Sequence, residues 1–545
     1  MLPLNPQSYD DVRQRFAWNV PARYNIGVDV CDKWAEQDAG RIALIHVGQD
    51  GSARPYSFVE LLESSNRVAN LLLAHGLEPG DRVGILLPQA PETAFGHIAA
   101  YKIGCIAIPL FALFGVEALQ YRLQNSGARA VITNAEGAAK LAQVRDQLPD
   151  LRVVLTIDGQ FDGTLDLHRE MAGQSTDLVP VDTGADDPAV IIYTSGTTGQ
   201  PKGALHGHRV LLGHLPGVEI SHNLFPQEGD RMWTPADWAW IGGLFDVLLP
   251  SLHHGITVVA HRFQKFTPEA AFQLMQDHGV RNTFLPPTAL KMMRSVSEPE
   301  KRWNYKLRSV ASGGESLGAE LLDWGRRTFG LTINEFYGQT ECNMTVSSCA
   351  DLMPVCPGAI GRPAPGHEVA IINEAGKVLG AGETGNIAVR SPDPVMFLQY
   401  WNNPEATREK YIGDWLVTGD TGSMDNDGYI HFVGRNDDVI TSAGYRIGPG
   451  EIEDCILQHP SVSMVAVVGA SDPQRTEVVT AVIVLKESYE PSESLKREIQ
   501  DYVKTRLAAH EYPREVFFLA ELPMTTTGKV IRRELRRQVE EWRSK

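Results

Sequence analysis

Along about the first 350 residues, segments with apolar residues at helical spacing alternate with short apolar runs that are typical of buried strands. Residues 61–72 carry apolar side chains at helical spacing, and residues 82–87 form a short apolar run that Pro88 ends. The same order predicts helices at residues 94–103 and 268–276, a strand that ends at Pro109, and strands at residues 153–157, 189–193, 257–259, 282–285 and 309–311. This alternation is typical of βα units around a parallel sheet, so we expect an α/β domain.

The pattern changes near residue 366, where short apolar runs separated by Gly, Asn and Asp begin. These runs predict a small, mostly β subdomain. After residue 434 the order is strand, helix, two strands, helix and a basic helical tail, which is typical of an α+β unit. We therefore expect one large domain at residues 1–434 and a small α+β domain at residues 435–545.

Composition places the chain among globular proteins. Hydrophobic residues make up 43% of the 545 residues and charged residues 21%, which excludes a largely disordered class. A net charge of −17 disfavours nucleic acid and anionic membrane surfaces as partners. The longest apolar run, residues 103–116, is shorter than the roughly 20 residues of a membrane span, and no apolar leader segment is evident. We expect a cytoplasmic protein.

Neither cysteine nor histidine spacing indicates a metal site. The six cysteines form no C-x-x-C pair, so we expect reduced thiols in the core. The histidines are scattered, and we expect His206, His208, His253 and His254 to be polar core or surface residues.

The sharpest local feature is the polar loop at residues 193–203, which follows a short apolar strand. Its hydroxyls, its unhindered backbone N–H groups and the Lys202 ammonium are suited to cradling phosphate. It is not a Walker A loop, because Pro201 precedes Lys202 and Gly203 follows it. A flexible surface turn would not explain three hydroxyls and a lysine so close together. The predicted phosphate-binding residues are Thr194, Ser195, Gly196, Thr197, Thr198, Gly199 and Lys202.

This loop resembles the phosphate loop of the adenylate-forming superfamily, which includes acyl-CoA synthetases, peptide-synthetase adenylation domains and luciferases. The superfamily's other motifs follow in order at residues 313–317, 337–341, 413–420, 434–438 and 523–529. The resemblance covers residues 56–533. The carboxy-terminal third is most similar to the medium-chain acyl-CoA synthetases, through residues 442–449, 459–460, 472–473 and 512–514.

The resemblance implies an ATP site, and the residue types suit it. Tyr337 offers an aromatic face for a purine, and Thr340 a hydroxyl near the α-phosphate. Glu341 offers a hard oxygen ligand for Mg²⁺, although a core tyrosine and a helix-capping glutamate are the plain alternatives. Asp420 is suited to the ribose hydroxyls and Arg435 to ribose or phosphate, unless Arg435 makes only a boundary ion pair. The remaining implied ATP contacts are Gly313, Gly314, Glu315, Ser316, Glu335, Phe336, Gly338, Gln339 and Lys529.

The implied reaction has two steps. A substrate carboxylate attacks MgATP to give an acyl-adenylate and pyrophosphate, and the thiol of coenzyme A then displaces AMP. The implied catalytic residues are Lys529, Thr340 and Glu341, with Lys529 bridging the carboxylate and the phosphate. Intact Lys529, Glu341 and Asp420 disfavour the alternative of an inert adenylate-binding sensor. The loop of Lys529 also resembles a site of regulatory lysine acylation, which implies a lysine acetyltransferase and deacylase as partners.

The resemblance further implies that residues 435–545 are a mobile lid that swings about a hinge at Asp437. Its second position brings the loop at residues 443–446 to the thioester step. The implied coenzyme A contacts are Ala443, Gly444, Tyr445, Arg446, Arg475 and Lys504, of which the last two have surface cations as the plain alternative.

The acyl pocket is implied by Trp238, Trp240, Gly242 and Gly338. Acetyl-CoA synthetases carry Trp at the position of Gly338, so this chain has room for several more carbons. Ala239 departs from the usual Gly, which leaves branched and aromatic acids as candidates. Asp246 is not in the register of the peptide synthetases' amino-binding aspartate, which falls at Gly242. We expect a ligase for short- to medium-chain or branched acids, with an acyl-AMP ligase serving a carrier protein, or a benzoate-type ligase, as alternatives.

Overall fold

The computed structural model describes residues 2–194, 200–314, 317–435, 438–442, 445–472, 475–507, 512–525 and 529–544, without the side chains of Thr441, Tyr445, Arg446 and Glu451. The chain divides into two compact units. One consists of Met1–Glu368 and Arg390–Asp414, and the other of Val369–Val389 and Trp415–Lys545.

The first unit contains an eight-stranded sheet, largely parallel. Its order is Gln399–Tyr400, Gly203–Gly207, Pro188–Tyr193, Ile106–Pro109, Arg82–Leu86, Ala130–Thr133, Val153–Thr156 and Leu165–Asp166. The first two strands pair antiparallel and the other six pair parallel. Because the inner parallel strands are covered on both faces, they are continuously apolar, as the sequence pattern indicates.

The second sheet of this unit has nine strands. Its order is Arg362–Pro363, Cys342–Ser347, Asn334–Gln339, Ser309–Gly313, Asn282–Phe284, Arg231–Trp233, Thr257–Ala260, Ile42–Val47 and Ala53–Ser57. The six central strands are parallel. The predicted α/β class is therefore confirmed.

Fifteen α-helices lie in the described part of this unit. Ser57 and Glu60 form a capping box that begins Phe58–Ala74, and Pro91 occupies the first turn of Pro91–Lys102, where its missing N–H costs nothing. The helices are Tyr9–Arg15, Lys33–Gln37, Phe58–Ala74, Pro91–Lys102, Val116–Ser126, Ala135–Ala142, Leu167–Ala172, Val210–Ser221, Ile241–Gly243, Leu249–His253, Pro268–Asp277, Pro287–Met293, Pro299–Arg302, Gly318–Phe329 and Pro404–Glu409. Val28–Asp32 and Leu244–Leu248 are π-helical, Arg145–Gln147 is a 3₁₀ turn, and Tyr411–Ile412 is a short strand.

The second unit is α+β. Antiparallel pairs join Val369–Ile372 to Thr384–Arg390 and Trp415–Met424 to Ile430–Arg435. A further sheet has the order Tyr445–Ile447, Ile440–Ser442, Thr476–Leu485 and Val462–Asp472, with Glu515–Phe518 parallel to Thr476–Leu485. Its helices are Pro449–Leu457, Glu493–Lys504 and Arg532–Arg543, the last being the predicted basic tail. The domain boundary at residue 434 stays a prediction, and its hinge, Asp437, lies outside the described residues.

The first part of the apolar run at residues 103–116 is largely buried, as expected, and contributes the strand Ile106–Pro109. The prediction of core is wrong for the end of the run, because the chain turns after this strand and Leu113 is 63% exposed. Throughout the described ranges, no helix combines the length and apolar character that crossing a membrane requires. Cys356 is half-buried and the other five cysteines are buried, and all six are free thiols. His206, His208, His253 and His254 are buried, and the described residues contain no cluster of His, Cys, Asp or Glu that could hold a metal ion by itself.

Candidate active site

The predicted phosphate loop connects two neighbouring antiparallel strands of the eight-stranded sheet. Thr194 follows the strand Pro188–Tyr193, and Lys202 precedes the strand Gly203–Gly207. The backbone N–H of Thr194 donates to the carbonyl oxygen of Lys202 at 2.9 Å. The two ends of the loop are thus held together by the strand pair, whereas residues 195–199 themselves lie outside the described residues.

Lys202, Tyr400 and Glu341 make successive contacts beside this loop. The Lys202 ammonium lies 5.2 Å from the centre of the Tyr400 ring, within range of a cation–π interaction. The Tyr400 hydroxyl donates a hydrogen bond to Oε1 of Glu341. Tyr400 reaches this place because its short strand pairs with Gly203–Gly207. Burial, together with the Glu341 carboxylate, raises the pKa of Tyr400, so its hydroxyl remains a donor.

Glu341 follows the strand Asn334–Gln339, in the tight connection to Cys342–Ser347. It is buried, and its carbonyl oxygen accepts from the backbone N–H of Phe397 at 2.9 Å. Just before it, Oε1 of Gln339 accepts from the Lys410 ammonium at 2.6 Å. Backbone and side chain of this motif are thereby both fixed, and a carboxylate is presented next to the predicted phosphate loop.

The two motifs predicted to contact adenine lie on adjacent parallel strands. Gly313 and Phe336 are register partners, and a Cβ atom at Gly313 would lie 2.6 Å from the Phe336 ring, so this approach requires glycine. Glu335 is buried, and its Oε1 accepts from the backbone N–H of Leu317 at 3.3 Å. Tyr337 is half-buried, which leaves part of its side chain accessible. The structure therefore brings the two motifs together.

Two of the four predicted acyl-pocket residues, Trp240 and Gly242, lie beside the ring of Phe284. Trp238 is fully buried in the core, whereas Trp240 is half-buried. The Trp240 and Phe284 rings are 6.1 Å apart, and Phe284 lies 5.2 Å from Phe336. A Cβ atom at Gly242 would lie 2.9 Å from Cε1 of Phe284. Phe284 thus contacts both Trp240 of the predicted acyl pocket and Phe336 of the predicted adenine site.

Gly338 is closely packed against the next strand. A Cβ atom at this position would lie 2.5 Å from both Cα of Asn343 and the backbone nitrogen of Met344. Backbone atoms cannot move aside as the end of a side chain can, so any larger residue at 338 must shift the hairpin. Gly338 therefore sets how closely the two strands approach, whatever its effect on acyl length.

The predicted ribose contacts lie in the second unit. Asp420 and Arg435 are register partners on the antiparallel strands Trp415–Met424 and Ile430–Arg435. The Arg435 Nε lies 3.9 Å from Oδ1 of Asp420, and Asp420 is buried while Arg435 is exposed. An acceptor and a cation thus stand together, as ribose and phosphate would require.

Lys529 closes a short loop in the same unit. Its backbone N–H donates to Oγ1 of Thr525 at 3.0 Å, and its carbonyl oxygen accepts from the Thr525 N–H at 2.7 Å. Arg532, which begins the final helix, binds the Glu453 carboxylate at 2.6 Å. The base of the lysine loop is thereby anchored to the helix Pro449–Leu457.

Of the predicted coenzyme A contacts, Lys504 lies in a basic cluster. Its ammonium is 5.5 Å from the Tyr512 ring, and Arg514 lies 5.1 Å from the same ring. Arg475 is half-buried, and its backbone N–H donates to Asp472 at 2.8 Å. The predicted site residues outside the described part of the chain are Ser195, Gly196, Thr197, Thr198, Gly199, Glu315, Ser316, Asp437, Ala443 and Gly444, and Tyr445 and Arg446 are described by backbone alone.

The sequence reasoning missed four residues that the structure places at these sites. They are Phe284, Asn343, Tyr400 and Lys410. Phe284, Tyr400 and Lys410 have no distinctive sequence neighbourhood, because sheet pairing and distant chain segments bring them to the site. Asn343 alone had a signal, since it follows the motif at residues 337–341 by two positions.

The described part of this site therefore joins Lys202, at the end of the predicted phosphate loop, to the buried Glu341 carboxylate through Tyr400. Comparison with known proteins identifies the family. The profile of the AMP-binding enzyme family matches residues 31–401, and that of the AMP-binding enzyme C-terminal domain matches residues 451–529. The chain belongs to the AMP-binding enzyme family.

Named relatives agree with this assignment. The chain is 34% identical to acetyl-coenzyme A synthetase of Bacillus subtilis, over 98% of this chain and 95% of that protein. It is 35% identical to the mitochondrial acyl-coenzyme A synthetase ACSM3 of Mus musculus, over 99% and 94%. The crystal structure of the anthranilate CoA ligase AuaEII with anthranoyl-AMP superimposes with a TM-score of 0.87 at 28% identity, covering 96% of this chain and 99% of that one. The predicted family, fold class and enzyme class, an AMP-forming acyl-CoA synthetase, are confirmed.

Proposed function

We propose that this protein is a magnesium-dependent carboxylic acid:CoA ligase that works through an acyl-adenylate and acts on short- to medium-chain or branched acids. The observation that carries the proposal is the Lys202, Tyr400 and Glu341 arrangement beside the phosphate loop. It supplies a cation for phosphate and an oriented carboxylate, which are the two groups that MgATP needs.

The residues present fit a magnesium ion. Mg²⁺ in nucleotide sites commonly takes one or two protein carboxylates and completes its shell with water and phosphate oxygens. Glu341 is such a carboxylate, and Tyr400 orients it. When bound there, the ion would neutralise charge on the ATP phosphates.

In the first step, an oxygen of the substrate carboxylate attacks the α-phosphorus of ATP, and pyrophosphate leaves. The protein binds and aligns two anions, so positioning and charge neutralisation supply most of the catalysis. We assign the phosphate contacts to residues 194–202, the α-phosphate contact to Thr340 and the ribose contacts to Asp420 and Arg435. The Lys529 ammonium binds both the carboxylate and the phosphate.

In the second step, the coenzyme A thiolate attacks the acyl carbon and AMP leaves with the bridging oxygen. We assign coenzyme A contacts to residues 443–446, to Arg475 and to Lys504, whose cluster with Arg514 suits a phosphate. Rotation of residues 435–545 about Asp437 exchanges the two steps. Acylation of Lys529 by a lysine acetyltransferase, reversed by a deacylase, would remove its charge and stop the first step.

The acyl range follows from the pocket. We assign Gly338 to the pocket wall because acetyl-CoA synthetases carry Trp there, although a Cβ atom at this glycine would meet the backbone of Asn343 and Met344. Each buried methylene of the substrate adds about 0.8 kcal/mol, or roughly fourfold in affinity, until the pocket is full. One observation favours an aryl acid as the second candidate. The Trp240, Phe284 and Phe336 rings form a layer that could stack an aromatic substrate, and the similar AuaEII enzyme is named for anthranilate.

We place the enzyme in the cytoplasm.

A pyrophosphate-release screen tests the proposal. Linear acids of two to ten carbons, branched acids and benzoates are each supplied with MgATP, and coenzyme A or acyl-carrier protein is then offered as the thiol. We expect release with short- to medium-chain or branched acids and thioester with coenzyme A. Selective transfer to the carrier protein would instead identify an acyl-AMP ligase, and no release with any acid would overturn the ligase assignment.

A further inference from the structure

Asp246 is a buried carboxyl group that the proposed reaction does not use. It lies in the π-helical turn Leu244–Leu248, and only 2% of the residue is exposed. π-helical turns inside helical segments occur frequently at functional sites. Burial raises the pKa of Asp246 well above its usual range, as expected for a carboxyl group removed from water.

Asp246 differs from the other buried aspartates of the described chain in having no basic partner. The other four each lie within 4 Å of a basic side chain, in the pairs Asp81–Arg129, Asp230–Arg308, Asp393–His367 and Asp420–Arg435. A buried carboxyl group without a cation destabilises the fold unless hydrogen bonds offset its desolvation. An ion pair that stabilises the fold therefore does not explain why this position is an aspartate.

The described partner of Asp246 is a neutral amide. Nδ2 of Asn343 donates to Oδ1 of Asp246 at 2.8 Å, and Asn343 is itself buried. This bond uses one oxygen of the carboxyl group and one N–H of the amide. Both side chains keep further hydrogen-bonding capacity, since a carboxyl group and an amide each have several donor or acceptor sites.

The pair lies between the two glycines that the sequence assigns to the acyl pocket. Oδ2 of Asp246 is 3.5 Å from where a Cβ atom of Gly242 would lie. Oδ1 of Asn343 is 2.6 Å from where a Cβ atom of Gly338 would lie. The two oxygens left over from the mutual hydrogen bond thus lie beside the two glycines predicted to line the acyl pocket.

We propose that Asp246 and Asn343 form a polar subsite of the acyl pocket, which binds a hydroxyl group on the chain of the substrate acid. A hydroxyl both donates and accepts, so it can pair with a carboxyl group in either protonation state and with the Asn343 carbonyl. It is neutral, and its burial needs no counter-ion. The inference rests on the proposed ligase function and narrows its substrate class to hydroxylated short- to medium-chain acids.

The test compares matched acids at equal chain length. Each linear acid is measured beside derivatives with a hydroxyl at successive carbons and beside the corresponding amino acids, by kcat/KM for pyrophosphate release. We expect at least one hydroxy acid to exceed its unsubstituted parent by tenfold or more, because a site built for a hydroxyl rejects an analogue that leaves buried polar groups unpaired. Preference for the unsubstituted acid at every length, or for an amino acid over the hydroxy acid, would overturn the proposal.

Variants assign the effect to the pair. Asp246→Leu should lower the ratio of kcat/KM for the hydroxy acid to that for its parent acid by about tenfold or more, whereas Asp323→Leu, at an exposed position of the helix Gly318–Phe329, should leave this ratio unchanged. An unchanged preference in Asp246→Leu would contradict the assignment. If Asp246→Leu does not fold, the comparison of hydroxy acids with their parent acids in the wild-type protein decides whether the proposal holds. Failure of the ligase function is distinguishable, since then no acid of any kind would release pyrophosphate.

Discussion

The hydroxyl of Tyr400 donates a hydrogen bond to Oε1 of Glu341, and the two residues come from segments that are 59 positions apart. The same tyrosine ring carries the Lys202 ammonium on its face. One side chain therefore links the end of the phosphate loop to the carboxylate proposed for magnesium. Such supporting contacts fix the direction in which a metal-binding carboxylate points.

Replacing Tyr400 by Phe keeps the ring under Lys202 and removes only the bond to Glu341. We expect the magnesium concentration at half-maximal rate to rise by about 10- to 100-fold, because outer contacts of this kind commonly affect metal affinity by that factor. Magnesium titration of pyrophosphate release measures it. Tyr305→Phe is the matched control, since its hydroxyl bonds the carbonyl of Thr328 at 2.6 Å, away from Glu341. If wild type and Tyr400→Phe required the same magnesium concentration for the half-maximal rate, Tyr400 would not orient Glu341 for the metal.

Gly242→Ala offers a cleaner test of the acyl wall than Gly338→Trp. The added methyl meets the end of the Phe284 ring, which can shift, whereas any residue at 338 meets backbone. We expect Gly242→Ala to lower kcat/KM for the longest accepted acid by roughly fourfold or more, the value of one methylene, and to spare acetate. Gly450→Ala, where a Cβ atom has open space, is the control. If Gly242→Ala lowered kcat/KM by the same factor for every acid, Gly242 would not line the wall that limits acyl length.

Gly338→Trp should also contract the preference toward acetate, but it requires its own control for folding. Thermal unfolding of the purified variant would show whether the hairpin of Asn343 and Met344 has been displaced. Retention of the wild-type chain-length profile in a folded Gly338→Trp protein would remove Gly338 from the pocket.

Five buried histidines give the fold a pH dependence. Burial lowers the pKa of His97, His206 and His222 to about 3 and of His208 and His214 to about 4. The unfolded chain binds these protons near pH 6.5, so stability is full above that pH and is lost as the pH falls toward 4. At pH 5, protonation of each of these histidines in the unfolded chain lowers the free energy of unfolding by about 2 kcal/mol.

Urea unfolding at pH 7.5 and pH 5 measures this dependence. In His208→Gln the loss between the two pH values should be smaller than in wild type by about 2 kcal/mol, because glutamine does not titrate. The glutamine oxygen can still accept from Ile26, whose N–H bonds His208 Nδ1 at 3.1 Å. His75→Gln, in the half-buried turn after Phe58–Ala74, is the control. Identical losses in wild type and His208→Gln would refute the account.

Much of the fold could be predicted because local and global preferences agree. The parallel strands are buried on both faces, so their sequences are visible as short segments that are almost entirely apolar, such as residues 83–87 and 153–157. Strand order and the pairing of Gln399–Tyr400 with Gly203–Gly207 depend on contacts between distant segments, and no local pattern reports them. For the same reason the sequence places Glu341 in a motif without indicating Tyr400.

The acyl pocket shows the same limit. Gly242 and Gly338 could be assigned by register, but their separation and the Asp246–Asn343 pair between them are consequences of packing. The register excludes Asp246 as an amino-binding residue, and only the structure shows that it lies beside the predicted pocket wall.

Lys529 should separate the two half-reactions. Lys529→Ala is expected to abolish acyl-AMP formation from acid and ATP while leaving thioester formation from preformed acyl-AMP near the wild-type rate. Lys496→Ala, at a surface position paired with Glu493, is the control. Equal loss of both half-reactions in Lys529→Ala would reject its assignment to the first step.

Oxygen transfer tests the central claim most directly. If a carboxylate oxygen becomes the bridge of an acyl-adenylate, an acid labelled with ¹⁸O in its carboxyl group must yield AMP that carries one ¹⁸O atom, while the thioester keeps the other. Mass spectrometry of the nucleotide after turnover with ATP and coenzyme A measures this. We predict singly labelled AMP and unlabelled pyrophosphate. Unlabelled AMP, or ADP with labelled phosphate, would contradict the acyl-adenylate route.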